Sequence, residues 1–396
     1  MKKLTAIFSF LLLPTLLMAE HSDFEITRPN LNTEHFLDIN KAEFEEIMND
    51  DWYTSDNGWR ISSHSITTDL TYLHTQIKLH QELSEYASMW LHYDQEIEFY
   101  DKDLPPPGLE FEVRPVPRYP VSISIVGSFQ YAKSGSEQGG AITLGDRTKN
   151  FLRFTRITID KYHNQKADDI SRYLEQPHQQ SIEAAYHWSP KLYAWIKYEH
   201  FTPLTFLFDD LTTTFDHKSK QYEAFVKYKH DKDNHYKIRL KGFNLEQSKE
   251  GTVNERQQLD YRSIDLKWLF RQSHAYRYSA GLRYDKFNND IFSTLTDTQV
   301  LDYPFRTRQI YSTMTHQYHA QKSWELGLYL GLTNEPNDFL NPTEDHSEVT
   351  ETKLNFVWGY YSVNKRAAAF VHISFNLDDF SEDPGDGGGL TYQSTF

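Results

Sequence analysis

Alternation of apolar and charged residues with a period of two, a regular succession of short and long connections, and many aromatic residues predict an all-β fold. Together they predict a transmembrane antiparallel β-barrel of about 16 strands, with a range of 14 to 18. The 396-residue chain holds 26 Tyr, 26 Phe and 8 Trp although its mean hydropathy is −0.69. A barrel accounts for both values, because half of each strand faces water while Tyr and Trp line the membrane interfaces.

The N-terminus predicts export from the cytoplasm. Lys2 and Lys3 precede an apolar run over 4–17, and Ala19 offers a small residue for cleavage. Residues 1–19 are therefore predicted to be a secretory signal peptide. The chain has no cysteine, which excludes disulfides and Cys-x-x-Cys-His haem sites. After residue 19 no run of 18 apolar residues follows, so helical membrane spans are not expected.

The net charge of −15 is concentrated at the two ends of the chain. Residues 20–57 hold eleven Asp and Glu against two basic residues, and residues 377–396 hold five acids and no base. Within 20–57, Asn40 and Glu43 fit a capping box that would open a short helix. We predict an acidic N-terminal periplasmic segment, either a loosely ordered leader or a plug, that is also a candidate contact for a periplasmic partner. The barrel is assigned to residues 58–396.

Alternation is least regular between residues 60 and 180. Two long segments are predicted over 60–99, and further strands over 121–131 and 151–162. Prolines 105–107 exclude 101–108 from any strand interior, because proline donates no ladder hydrogen bond. The segments predicted as loops here are 134–140 and 164–180, the second with room for a short helix.

From residue 181 onward, short and long connections alternate. The short ones are 189–190, 231–234, 273–274, 320–322 and 364–366. The long ones are 202–219, 246–257, 287–303, 335–349 and 378–388. Bacterial outer-membrane barrels combine short periplasmic turns with long extracellular loops, whereas a soluble sandwich has no reason for this succession. We therefore expect the short turns on the periplasmic side.

The last segment alternates through Leu390, Tyr392 and Ser394 and ends at Phe396. Here the chain resembles the porin-like outer-membrane β-barrel superfamily of Gram-negative bacteria, whose final strand usually ends in an aromatic residue. The resemblance implies a location in the bacterial outer membrane, with its lipid and the barrel-insertion machinery as partners. It also implies that Tyr392 and Phe396 form the insertion signal. The likeness is one of class, and no specific family motif is matched.

The strands between residues 222 and 285 predict a basic inner wall. One face is apolar, so the charged face must line the lumen, because lipid disfavours charge. Only Glu223, Asp265 and Asp285 oppose the nine cations of this face. The nine are Lys227, Lys229, Lys237, Arg239, Lys241, Lys267, Arg271, Arg277 and Arg283. A barrel of this width leaves an aqueous lumen, in which a basic wall raises the local concentration of anions.

These features predict an outer-membrane channel that passes or exports anionic cargo, such as acidic exopolysaccharide or small anions. The sequence leaves open that the cations only stiffen the wall by pairing with acids of other strands, namely Glu96, Glu98, Glu199 or Glu325. Two other functions also stay open. One is a structural barrel sheath of a porin–cytochrome electron conduit, and the other is an adhesion or receptor barrel that displays its loops.

No enzymatic chemistry is predicted. His346, Ser347 and Glu348 are neighbours in one predicted loop, whereas a catalytic triad needs spatial convergence. The 18 histidines show no spacing typical of a metal site, and no Gly-rich phosphate loop is present. We expect no cofactor and, for an acidic exported chain, no nucleic-acid partner.

Overall fold

In the computed structural model, the described residues form an antiparallel β-structure. They are 58–67, 71–98, 108–113, 120–129, 136–146, 150–159, 170–175, 178–208, 214–251, 254–273, 275–296, 298–336, 346–362, 367–378 and 385–395. None of these residues belongs to a helix long and apolar enough to cross a membrane. The predicted signal peptide 1–19, the acidic segment 20–57 and Phe396 lie outside them.

Nineteen strands are present in these ranges. The first nine are β1 (Gly58–Thr67), β2 (Thr71–Ser84), β3 (Ala87–Glu98), β4 (Gly108–Val113), β5 (Val121–Phe129), β6 (Ser136–Gly145), β7 (Phe151–Ile159), β8 (Ile170–Glu175) and β9 (His178–Ser189). The other ten are β10 (Leu192–Phe208), β11 (Thr214–Lys229), β12 (Asn234–Glu250), β13 (Glu255–Arg271), β14 (Tyr276–Ser293), β15 (Thr298–His319), β16 (Lys322–Pro336), β17 (His346–Tyr361), β18 (Ala367–Asn376) and β19 (Gly385–Thr395).

The strands form a ring of antiparallel pairings. The first strand, β1, pairs with β2 on one side and with the last strand, β19, on the other. Both β8 and β9 pair with β10, at successive positions along its length, while β7 pairs with β9. The 19 strands therefore occupy 18 positions, an even number at the upper limit of the predicted range. The predicted all-β antiparallel barrel is confirmed.

The turn between β11 and β12 shows why sequence located the short connections. Oδ1 of Asp231 accepts hydrogen bonds from the backbone N–H groups of Asp233 and Asn234, both at 2.8 Å. The hydrogen bonds from the Asp233 backbone and the Asn234 side chain favour the carboxylate and lower the pKa of Asp231. Such local side-chain bonds form a tight turn without help from the rest of the fold. Short connections likewise follow β9, β13 and β15.

Strands extend into several segments that the sequence predicted as loops. β10 continues to Phe208, β12 to Glu250 and β14 to Ser293, within the predicted long connections. In the first half of the chain, β6 occupies most of the predicted loop 134–140, and β8 lies inside the predicted loop 164–180. The glycines of β6 suggested a loop, but Gly139 permits close strand contact, since a Cβ there would lie 2.1 Å from Arg156 O.

The burial of side chains is inverted relative to a soluble protein. Apolar side chains in the middle of the strands are exposed, as with Ile310 at 60%. Side chains of the opposite parity are polar and buried, as with Thr307 and Asp285 at 0%. An exposed apolar face around a polar interior is what contact with lipid requires. The chain is a membrane-spanning β-barrel.

The apolar outer band ends at one level on β12, β13 and β14. Up to the cross-strand neighbours Gly242, Arg262 and Lys286, outward residues are apolar and inward ones polar, apart from Leu269 and Gly281. Beyond this level the pattern reverses, and the inward residues form an apolar cluster of Leu259, Phe287 and Ile291 with Phe243, Leu245 and Tyr261. We call the plane of Gly242, Arg262 and Lys286 the inversion level. This reversal explains why the alternation of apolar outward residues with polar inward residues ends here in the sequence.

The other edge of the band lies near the short turns. Tyr228, Tyr236 and Trp268 are cross-strand neighbours on β11, β12 and β13, and all three are exposed. Such an aromatic girdle marks a membrane interface. Trp268 and Arg262 are six positions apart, which is about 20 Å along a strand at roughly 3.4 Å per residue. When the side chains at both edges are included, this distance is close to the height of about 25 Å of the apolar band in membrane barrels.

Gly281 allows an inner side chain to lie flat on the wall. A Cβ on Gly281 would lie 2.1 Å from Cζ of Tyr311, whose ring is 1% exposed and whose hydroxyl donates a hydrogen bond to Asp265 Oδ1 at 2.8 Å. Gly281→Ala is expected to destabilise the barrel by about 1–3 kcal/mol, because the buried ring has to shift. Guanidinium unfolding in lipid vesicles, followed by tryptophan fluorescence, measures the change.

Gly331→Ala is the matched control for Gly281→Ala. A Cβ on Gly331 would meet its nearest neighbour, Glu351, at 3.7 Å, which is ordinary van der Waals contact. We expect a change below about 0.5 kcal/mol for this inner-face glycine. Equal stability of the two variants would contradict the assignment of a packing role to Gly281.

Candidate functional site

All nine predicted cations lie on the inner face of β11–β14. Lys227, Lys267 and Arg283 are buried, and the other six are half-buried. The outward neighbours on the same strands, such as Ile238 and Leu266, are exposed. Period-two alternation therefore predicted the direction of every one of these side chains. Their role in an anion path stays a prediction.

Three lysines form a row across the wall. Lys227, Lys237 and Lys267 are direct cross-strand neighbours on β11, β12 and β13. Directly opposite residues have Cβ atoms about 4.5–5.5 Å apart, and like charges in that position repel each other. We call this set the lysine row. The row concentrates positive charge on the inner face, where it would attract a passing anion.

A second row of the same wall alternates in charge. Arg239, Asp265 and Arg283 are cross-strand neighbours on β12, β13 and β14. Arg239 Nε donates a hydrogen bond to Glu223 Oε1 at 2.7 Å, and Arg283 Nε lies 2.7 Å from Asp285 Oδ2. Part of the basic wall is thus paired internally, with acids of its own strands.

The structure gives contacts for two of the acids proposed as partners from other strands. Lys197 Nζ forms an ion pair with Glu199 Oε1 at 2.7 Å. The buried Glu325 accepts a hydrogen bond from Thr315 Oγ1 at 2.7 Å. Glu96 and Glu98 lie on β3, with side chains outside the described ones. The sequence reasoning missed two inner-face cations, Lys197 and the buried Lys353 of β17, although period-two alternation assigns both to the inner face.

Water access divides the described inner face into two parts. On β14–β17 the inner side chains are closed off, as Tyr311, Tyr329 and Glu325 at 1% exposure show. On β10–β12 most inner side chains are half-exposed, whereas Phe201, His217 and Lys227 are buried. We call this part the open strip; it consists of Tyr193, Trp195, Lys197, Glu223, Phe225, Lys237, Arg239 and Lys241.

Three aromatic rings contact one another within the open strip, and we call them the aromatic surface. The Phe225 ring lies 5.5 Å from Tyr193 and stacks on Trp195 at 5.5 Å, measured between centroids. Lys237 Nζ lies 5.0 Å from the Phe225 centroid, within the range of a cation–π contact. Trp195 Nε1 donates a hydrogen bond to Glu183 Oε1 at 2.9 Å. Cations and aromatic faces thus border the same water-accessible surface, which the sequence reasoning did not find.

Two further predictions from the sequence concern the insertion signal at Tyr392 and Phe396 and the question of metal binding. Tyr392 lies on β19, opposite Ile61 of β1 and Ala369 of β18, so it sits at the closure of the ring. Phe396, the other half of the predicted insertion signal, is outside the described residues. Within the part of the chain that the structure describes, no group of three or more His, Asp or Glu side chains is arranged to hold a metal ion.

No protein-family model and no curated protein matches this chain. Among solved structures, OccK3 (OpdO) of Pseudomonas aeruginosa is 13% identical, with 90% of this chain and 99% of that chain covered and a TM-score of 0.44. OccK5 (OpdH) of the same species is 10% identical, with 87% of this chain and 99% of that chain covered and a TM-score of 0.45. The outer membrane channel DcaP of Acinetobacter baumannii is 11% identical, with 87% of this chain and 97% of that chain covered and a TM-score of 0.41. The strand pairing and the inverted burial establish the membrane barrel independently of these likenesses.

Proposed function

We propose that this protein is a channel of the bacterial outer membrane that passes or exports anionic cargo along the open strip. One observation carries the proposal. The half-exposed inner side chains include Lys197, Lys237, Arg239 and Lys241. Water access and positive charge therefore coincide on the same three strands.

The mechanism requires no chemistry beyond charge and hydration. An anion that enters a narrow, low-dielectric lumen loses part of its water shell, and ammonium and guanidinium groups replace those hydrogen bonds. The lysine row adds positive charge to the wall, and the pairs Arg239–Glu223 and Arg283–Asp285 hold the wall in place. Passage also requires weak binding, which half-exposed cations with rotatable side chains provide.

The aromatic surface favours acidic saccharides over small inorganic anions as cargo. A small anion needs only the cations. A sugar ring also presents an apolar face, which can pack on Trp195 and Phe225 while its carboxylate contacts Lys237. The open strip offers both kinds of contact within about one sugar length, since Lys237 Nζ lies 5.0 Å from the Phe225 ring.

Reversal potential across a salt gradient in a planar bilayer tests the channel. We expect anion selectivity for the mature protein, and a fall in the anion-to-cation permeability ratio of at least about threefold for Lys227→Glu with Lys237→Glu. A polyuronate oligosaccharide should block the current, and a neutral oligosaccharide of equal length should block it less. Arg306→Glu with Arg308→Glu is the matched control, because it reverses the same number of charges on the outer face.

The same recordings separate the competing functions. Large unselective conductance would make the cations structural and favour the sheath of an electron conduit. Conductance that appears only after deletion of residues 20–57 would support a plug. Silence with and without that segment would contradict the channel and leave a loop-displaying barrel.

A further inference from the structure

A group of cations faces away from the lumen at the inversion level. Arg262, Lys286 and Arg306 are direct cross-strand neighbours on β13, β14 and β15, and Arg308 follows two residues later on β15. The three arginines are exposed and Lys286 is half-buried. We call these four residues the outer cation cluster. Their parity is that of Ile264, Leu282 and Ile310, which form the exposed apolar band.

The surroundings of the cluster leave it positively charged. Arg262 Nε lies 3.2 Å from Asp260 Oδ2, and the Arg262 side chain is still 65% exposed. The cross-strand neighbours that close the cluster are Gly242 on β12 and Asn334 and Leu332 on β16. Among the side chains that the structure describes here, the Asp260 carboxylate is the one in contact with Arg262, so the four cations keep a net positive charge.

The position of the cluster matches a layer of lipid phosphates. It borders the apolar band on the side of the long connections, about 20 Å along the strand from the aromatic girdle. Cations at the edge of the hydrocarbon region extend toward the headgroups, where phosphate groups lie. Cross-strand spacing of about 5 Å lets two neighbouring side chains contact one phosphate, and the arginine fork fits phosphate oxygens in pairs.

We propose that the outer cation cluster binds the phosphate groups of a lipid in the leaflet on the long-connection side. On the orientation predicted from the turn lengths, this is the outer leaflet, and the lipid is a phosphorylated glycolipid. The bound lipid clamps β13, β14 and β15 together from outside, at the level where the apolar band ends. The proposal rests on the membrane barrel and is independent of channel function, because these side chains point away from the lumen.

Native mass spectrometry of the full chain in a neutral detergent measures the binding, with diphosphoryl lipid A as the probe. We expect Arg262→Gln with Arg306→Gln to weaken binding by about tenfold or more, since two charge-assisted contacts are lost. Arg262→Lys with Arg306→Lys keeps the charge without the fork, so a loss of about threefold is expected. If the glutamine variant does not fold, the lysine variant still tests the proposal.

Lys232→Gln with Lys322→Gln is the matched control, since both lysines are exposed at the short-turn end. It should bind lipid A within about twofold of the wild type. Equal binding by the Arg262/Arg306 variants and the wild type would overturn the proposal. So would equal binding of dephosphorylated lipid A by the wild type, or full displacement of the lipid by millimolar inorganic phosphate. Ion selectivity should stay unchanged in the Arg262/Arg306 variants, so failure here is distinguishable from failure of the channel proposal.

Discussion

Arginine in place of Leu266 is expected to destabilise the folded barrel by about 2–4 kcal/mol. Leu266 faces outward near the middle of the apolar band, between Trp268 of the aromatic girdle and Arg262 of the inversion level. A guanidinium there has to enter hydrocarbon or pull water and headgroups inward, and both are costly. Guanidinium unfolding of the protein in phospholipid vesicles gives the free energy of unfolding.

Two substitutions on the same strand are the controls for Leu266→Arg. Trp268→Arg introduces the same charge at the interface, where the expected loss is about 0–1 kcal/mol. Leu269→Arg introduces it on the inner, half-buried face, beside His235 and Ser279. We expect a loss of about 1 kcal/mol or less there, because the interior already holds charge. Equal losses at 266 and 269 would mean that the two faces do not separate lipid from lumen.

The second large effect is expected for Asp285→Asn, with a loss of about 3–5 kcal/mol. The side chains of Arg283 and Asp285 are 2% and 0% exposed, with Arg283 Nε 2.7 Å from Asp285 Oδ2. The Tyr261 hydroxyl donates a hydrogen bond to Asp285 Oδ1 at 3.1 Å and accepts one from Arg283 Nη2 at 3.3 Å. Asparagine keeps the shape but leaves the Arg283 charge buried without its carboxylate.

A replacement of both charges tests the origin of this loss. Arg283→Met with Asp285→Leu should recover most of the stability, because two apolar side chains need no compensation in a buried site. Glu223→Gln is the matched control, since Arg239 and Glu223 form a similar pair with 18% and 31% exposed side chains. That pair is screened by water, so a loss of about 1 kcal/mol or less is expected. A double variant as unstable as Asp285→Asn would show that packing, and not an unpaired charge, causes the loss.

The fold could largely be predicted because its main signals are local. Alternation along β12 and β13 gave the facing of Lys237, Arg239 and Lys267 without knowledge of their neighbours. The turn at Asp231 is formed by its own side chain, and sequence located it for that reason. The predicted loop at 287–303 was wrong in part, because β14 and β15 continue past the inversion level, where the outer face becomes polar and the inner face apolar.

The candidate site was only half predicted, because its composition depends on contacts between strands. The nine cations were identified from parity, but the lysine row exists only through the register that places Lys227, Lys237 and Lys267 side by side. The stacking of Trp195 on Phe225 joins residues 30 positions apart in the chain. Neither set has a signature in the sequence, since register is set by the ring of strands.

The sequence by itself determined that the chain is a β-barrel with polar residues inside and apolar residues outside. That information is carried by each strand separately, because a period of two assigns every side chain to one of two faces. Only the tertiary structure decided which cations are paired, which part of the inner face meets water, and where Arg262, Lys286 and Arg306 meet on the outer face. These properties depend on the closure of the ring and on cross-strand register, because both bring together residues that are distant in the chain.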